Sequence, residues 1–162
     1  MADGAEGSDQ EVSAAEGFTG GCQCGAVRYR IQTERLIGYA CHCRECQKQS
    51  ASAFGVSVPV MKGDFTLTGE TRIWSRPTDS GKITDCHFCP NCGSRLYHSG
   101  REGREWVTVK GGSLDEPDAV EFVAHIWTKR AAAWITLPEG LPRWDTQPQT
   151  LGEWKTLLGW DA

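Results

Sequence analysis

The chain has 162 residues, a formal net charge of −4 and a pI near 5.6, which excludes a broad basic face for a nucleic-acid backbone. It is long enough to bury a core of its own, so its eight cysteines are not needed to staple a small fold. No apolar run approaches the length of a membrane span, and the acidic N-terminus has neither the basic nor the apolar region of a signal peptide. A cytoplasmic protein is predicted, in a reducing compartment where clustered thiols bind metal rather than pair as disulfides.

In chain order, residues 1–17 carry Asp3, Glu6, Asp9, Glu11 and Glu16 with no basic residue and almost nothing apolar, and read as a solvated, disordered tail. Residues 18–162 are expected to form a single domain. Gly21-Cys-Gln-Cys-Gly25 leads into Val27, Tyr29 and Ile31, which alternate with Arg28 and Arg30 as in a half-buried strand with a solvated arginine face. The triple cluster Cys41-His-Cys-Arg-Glu-Cys46 follows, then a second alternating run through Phe54, Val56, Val58 and Val60. Turn signals at Lys62-Gly63-Asp64, Thr68-Gly69-Glu70 and Asp79-Ser80-Gly81 divide the middle of the chain at hairpin-like intervals. Cys89-Pro-Asn-Cys-Gly93 comes next, and Val120, Phe122, Ala124 and Ile126 alternate through a late strand. Thr150 is placed to cap a helix on which Leu151, Trp154, Leu157 and Leu158 share a face. With no helix of ten or more residues between strands, the fold class is all-β: antiparallel sheets closed by a short C-terminal helix. Trp134, Trp144, Trp154 and Trp160 are expected to cover a sheet.

The thiols divide by spacing. Cys89 and Cys92 form half of a tetrahedral site on a tight turn, with Gly93 supplying the backbone freedom that turn needs. Cys22 and Cys24 are the pair without another partner, so these four make a closed structural zinc site. Cys41, Cys43 and Cys46 place three thiolates on one loop, the ligand number of a catalytic zinc whose fourth position serves water or substrate. His42 and Cys86 are the two residues able to close that site, and closure by Cys86 would make it structural. An iron–sulfur cluster is the rival, but the C-x-C-x-x-C spacing matches neither common ferredoxin pattern. Arg44 and Lys48 flank the triple and are placed to favour its thiolates. His125 and Trp127 share a face of the late strand that could line the open site, although a structural histidine is the commoner outcome.

The segments C-Q-C-G-A-V-R-Y, A-C-H-C-R-E-C-Q-K, F-C-P-N-C-G-S-R-L and A-H-I-W-T-K-R-A-A-A-W-I resemble, in order and spacing, the glutathione-dependent formaldehyde-activating enzyme family, which also contains centromere protein V. The resemblance runs from about Gly20 to Trp144. It implies a β-tent fold with two Zn2+ per chain: a structural zinc on the residues matching Cys22, Cys24, Cys89 and Cys92, and a catalytic zinc on those matching Cys41, Cys43 and Cys46. It also implies a carbon–sulfur lyase that joins glutathione, or a similar small thiol, to formaldehyde or another small carbonyl. No nucleic-acid or membrane partner is expected, and the oligomeric state is open, a homodimer being one option. The family often has glycine at the position of Ala51 and arginine at that of Cys86. The alternative to an enzyme is a non-catalytic zinc-stabilised β module that binds a protein partner.

Overall fold

The computed structural model describes residues 17–79 and 81–160, so the acidic segment lies outside the described residues except for Gly17. Strands form where apolar and polar residues alternate. In β2 (Arg28–Ile31), Tyr29 and Ile31 are buried while Arg28 and Arg30 are exposed. β2 pairs on both sides with antiparallel neighbours, β1 (Phe18–Gly21) and β5 (Phe65–Thr68), to make a three-stranded sheet.

A seven-stranded sheet carries the rest: β3 (Leu36–Cys41), β4 (Gly55–Met61), β6 (Arg72–Pro77), β7 (Ile83–Phe88), β8 (Arg95–Gly100), β9 (Trp106–Lys110) and β10 (Val120–Ile126). Their order is β10-β3-β4-β9-β8-β7-β6. The fold is mostly β, as expected, with one departure from all-antiparallel pairing: β10 runs parallel to β3. The connection between them is not a single crossover helix but a short helix followed by the strands from β4 to β9, so no βαβ pattern announced a parallel pair.

The main core lies between the sheets. Tyr29 and Ile31 of the small sheet pack with Val58, Val60, Leu96, Tyr97, Val107 and Val109 of the large one, and Phe65 bridges them with its ring 5.6 Å from Tyr29 and 5.0 Å from Tyr97. A second core forms on the opposite face, where Tyr39, Cys41, Cys43, Cys46, Ala124 and Ile126 are covered by Leu158 of α2 (Leu151–Leu158). α2 begins where the sequence placed it. The Thr150 hydroxyl accepts from the Glu153 amide at 3.1 Å and the Glu153 carboxylate accepts from the Thr150 amide at 2.9 Å, a capping box. Trp154 lies 5.3 Å from Tyr39 and Trp160 meets Trp106 edge-on at 5.5 Å. Trp144 packs against the second core, whereas Trp134 is 76% exposed and covers nothing.

Two β-bulges reassign side chains between the faces. In β10 the register passes from Phe122↔Gly38 to Ala124↔Tyr39, leaving Val123 as the extra residue. Val120 therefore packs on the main core while Ala124 and Ile126 reach the second, so the simple alternation read from the sequence changes phase within one strand. In β8, Arg95 faces Phe88 and Tyr97 faces His87, which makes Leu96 the extra residue. Leu96 and Tyr97 both enter the main core, and Arg95 falls on the same face as His98 and Cys86.

A short helix that alternation could not reveal, α1 (Arg44–Ser50), follows β3 directly. It ends at Ala51, whose left-handed conformation (φ 49°, ψ 38°) lets its amide meet the carbonyls of Gln47 and Lys48. A Cβ is disfavoured in this region, and glycine removes that penalty. Ala51→Gly is therefore expected to stabilise the protein by about 0.5–1 kcal/mol in denaturant unfolding. A loss of stability would show that Ala51 is not held left-handed in solution.

Candidate metal centres and a buried polar face

Cys22 and Cys24 sit on the turn between β1 and β2, while Cys89 and Cys92 sit on the turn between β7 and β8. The four Sγ atoms lie within 4.8 Å of one another. Cys22 and Cys24 are 3.5 Å apart and Cys24 and Cys89 3.7 Å, close to the edge of about 3.8 Å that bonds of about 2.3 Å give a tetrahedron. Each turn is shaped for thiolate. The Val27 amide donates to Cys22 Sγ at 3.2 Å, and Asn91 Nδ2 donates to Cys24 Sγ at 3.3 Å. Gly25 (φ 79°) and Gly93 (φ 74°) hold the left-handed turns, as the sequence predicted for Gly93. The Ser94 hydroxyl and amide beside Cys92 push its thiol down to about 5. The arrangement fits a closed metal site that joins the first hairpin of the small sheet to the large one.

The second group comprises Cys41, Cys43 and Cys46, all buried, with Sγ atoms within 4.8 Å of one another. Cys41 ends β3, Cys43 is the N-cap of α1, and Cys46 lies in its first turn, so the cluster is built from a strand end and a helix start rather than from a loop alone. The Cys46 amide points at Cys43 Sγ (3.4 Å). α1 is fastened by Gln47 Nε2, which donates to the carbonyls of His42 (2.8 Å) and Arg130 (2.9 Å), and by the Ser50 hydroxyl, which donates to the Cys46 carbonyl at 2.7 Å. Three buried thiols crowded together cannot all ionise unaided. Neighbouring thiols push Cys41 well above its ordinary value, while hydrogen bonds from Cys41 and Cys43 bring Cys46 well below. A divalent cation resolves that repulsion.

Neither residue weighed as a fourth ligand belongs to this group. Cys86 is fully buried on β7, and its Sγ faces Gln49 Nε2 at 3.4 Å. His42 points away to His125, with Nε2 and Nδ1 3.0 Å apart. Thus His125 reaches the cluster only through His42, which ties β10 to the turn before α1. Trp127 leaves the strand in a left-handed conformation (φ 59°) and packs under Arg130 at 4.6 Å. The flanking cations Arg44 and Lys48 are exposed, and Arg44 spends its charge on Gln47 Oε1 at 2.6 Å. Arg28 is paired with Asp115 at the surface.

The positive charge felt by Cys46 comes instead from two residues that sequence reasoning passed over, Lys110 and Arg95. Lys110 is 7% exposed at the end of β9, and its Nζ donates to the Ser57 hydroxyl at 3.2 Å. Burial, then the charge of Arg95, pushes its ammonium down to about 8. Ser57 lies two residues beyond Gly55, over which Cys46 packs so closely that a Cβ at Gly55 would stand 3.3 Å from the Cys46 Cβ. Thr108 of β9 and His98 of β8 continue the same face. His98 is held well below its ordinary value by burial first, then by Lys110 and Arg95. A histidine so depressed contributes stability that is complete above pH 6.5 and lost as pH falls below it. Replacing it by glutamine is expected to flatten the fall of unfolding free energy between about pH 6.5 and 5 by up to about 1.4 kcal/mol per pH unit. Denaturant titrations across that range test this, and parallel curves for His98→Gln and the parent chain would refute it.

The model of one family, the glutathione-dependent formaldehyde-activating enzymes, matches residues 17–130, which takes in both thiol groups and every strand. Among solved structures, a Rhodobacter sphaeroides protein determined as a Northeast Structural Genomics target is similar, with a TM-score of 0.49 and 18% sequence identity. The likeness covers 78% of this chain and 98% of that one. The family match spans more than two-thirds of the sequence, and the four motifs that first suggested it fall on the two thiol groups, the bulged strand β8 and the strand that runs beside the triple cluster: the chain belongs to the glutathione-dependent formaldehyde-activating enzyme family.

Proposed function

We propose that this protein is a cytoplasmic zinc-dependent carbon–sulfur lyase resembling S-(hydroxymethyl)glutathione synthase, joining glutathione or a similar small thiol to formaldehyde or another small carbonyl. The observation that carries the reading is the contrast between two thiol groups, one of four residues on two turns with Cys24 and Cys92 exposed, and one of three all buried beside Lys110 and Arg95. Cys22, Cys24, Cys89 and Cys92 hold a structural zinc in this reading, and Cys41, Cys43 and Cys46 a catalytic one. The small sheet leaning over the large one supports the β-tent description.

A zinc held by three thiolates carries a formal charge of about −1 and lowers the pKa of a thiol that approaches it. The chain's own residues do the rest. Lys110 and Arg95 favour anionic sulfur at this spot, α1 orients Cys43 and Cys46, and the cover provided by α2 with Trp144, Trp154 and Trp160 excludes water. Addition of the thiol to formaldehyde forms one carbon–sulfur bond and breaks the carbonyl π-bond, and the thiol proton ends on the new hydroxyl. The reverse direction breaks the same bond, as expected of a lyase. The non-catalytic alternative drew its support from closure of the second site by Cys86, and the contact of Cys86 with Gln49 weighs against it.

Metal analysis is expected to give two zinc ions per chain, falling to one in Cys46→Ser with the fold retained, whereas Cys89→Ser costs both an ion and cooperative unfolding. Exchange spectroscopy with 13C-formaldehyde and glutathione should show adduct formation above the spontaneous rate, reduced about 100-fold or more in Cys46→Ser. Turnover indifferent to loss of the second ion would sink the lyase reading.

A further inference from the structure

The buried face beyond the triple cluster carries more positive charge than its neighbours answer. All three guanidinium nitrogens of Arg95 are buried, and they meet no hydrogen-bond partner among the described residues. Among the described residues, neither Arg95 nor Lys110 makes an ion pair with a carboxylate. A buried guanidinium with its donors unused is among the costlier arrangements a fold can keep. Two further orphans adjoin it. His98 pairs across the strands with Cys86, and Gln49 touches Cys86 through Nε2, yet His98 Nδ1 and Gln49 Oε1 both lack partners.

The charges can be summed. Three thiolates around a divalent ion leave about −1, and Lys110, Arg95 and Arg104, whose charges all bear on His98, add three positive charges, so the face holds positive charge in excess. The residues that face inward from the neighbouring strands, Tyr39, Ser57, Thr84, Cys86 and Thr108, are uncharged when protonated and supply no carboxylate. An anion answers that excess. The planar fork of arginine matches the two oxygens of a carboxylate, and a lysine ammonium adds a point charge beside it.

We propose that Arg95 and Lys110, with His98 and Gln49 at its edge, form a carboxylate-binding subsite beside the Cys41–Cys43–Cys46 cluster, which selects a small substrate bearing a carboxylate. The proposal deepens the lyase reading and rests on it for the identity of the neighbouring reaction. The β8 bulge keeps Arg95 at the subsite: were β8 to alternate regularly through Leu96, Arg95 would share the face of Tyr97 and point into the apolar core.

Acetate is the probe, titrated into the zinc-loaded full chain at ionic strength held constant with chloride, while the imidazole resonances of His98 are followed by NMR. A saturable shift is expected, weakened at least about tenfold in Arg95→Gln and less so in Arg95→Lys, which keeps the charge but loses the fork. No saturable shift in the parent chain, or equal binding by Arg95→Gln, overturns the proposal. Should Arg95→Gln fail to fold, Lys110→Met provides the same comparison, and the parent chain with acetate against chloride already decides whether a site exists. Competition identifies the source of the carboxylate. Displacement of acetate by 3-mercaptopropionate but not 2-mercaptoethanol places it on the thiol, and displacement by glyoxylate but not formaldehyde places it on the carbonyl. If neither acid displaces acetate, the substrate role is refuted. Acetate binding without lyase turnover leaves the subsite standing and removes the lyase reading, and turnover without acetate binding does the reverse.

Discussion

The inner strands of the seven-stranded sheet are covered on both faces, one apolar throughout and the other part apolar and part polar. Val58, Val107 and Val109 fill the space under the small sheet, while Ser57, Thr108 and Lys110 stand on the other side of the same strands at 7% exposure or less. Taking polar groups out of water is costly unless they meet partners, so this second face constrains whatever surrounds it. Part of the requirement is met internally, as where Lys110 donates to Ser57. Part of it is left at Arg95, His98 and Gln49. Unmet polar groups in an otherwise well-packed interior mark places where stability has been given up, and here they adjoin three buried thiols.

The two thiol groups illustrate how local chain geometry sets chemistry. The first joins two glycine turns that are far apart in sequence but neighbours at one end of the fold, and backbone amides and Ser94 satisfy its sulfurs. Such a site resists distortion because the turns are rigid and the sulfurs already accept hydrogen bonds. The second is built where β3 gives way to α1. A strand end aims Cys41, a helix cap aims Cys43, and the first helical turn brings Cys46 round to meet them. The parallel neighbour β10 closes this corner through the His42 amide, which donates to the Ile126 carbonyl at 3.0 Å, and through the contact of His42 with His125.

Bulges connect the fold to the site. The extra residue in β10 lets one strand pack Val120 into the main core and Ile126 against the cysteines. The extra residue in β8 lets Leu96 and Tyr97 both serve the apolar core while Arg95 crosses to the polar face. Each is a change of side-chain phase by one position, the smallest adjustment that moves a side chain from one face of a sheet to the other.

Cysteine spacing by itself determined the two thiol groups, because ligands two to five residues apart on turns have little freedom to disperse, and because leftover pairs must find each other. Period-two runs determined the strands, and the Thr150 capping signal determined α2, since both are local properties of the chain. What only the tertiary structure decided is everything that depends on register. The parallel pairing of β10 with β3 and the exclusion of Cys86 and His42 from the cluster belong here, as does the arrival of Arg95 and Lys110 beside it. Arg95 sits in a knuckle motif and Lys110 ends a Val-Thr-Val-Lys run that reads as solvent-facing. Their burial follows from a one-residue bulge and from long-range strand pairing, which a sequence read segment by segment does not contain.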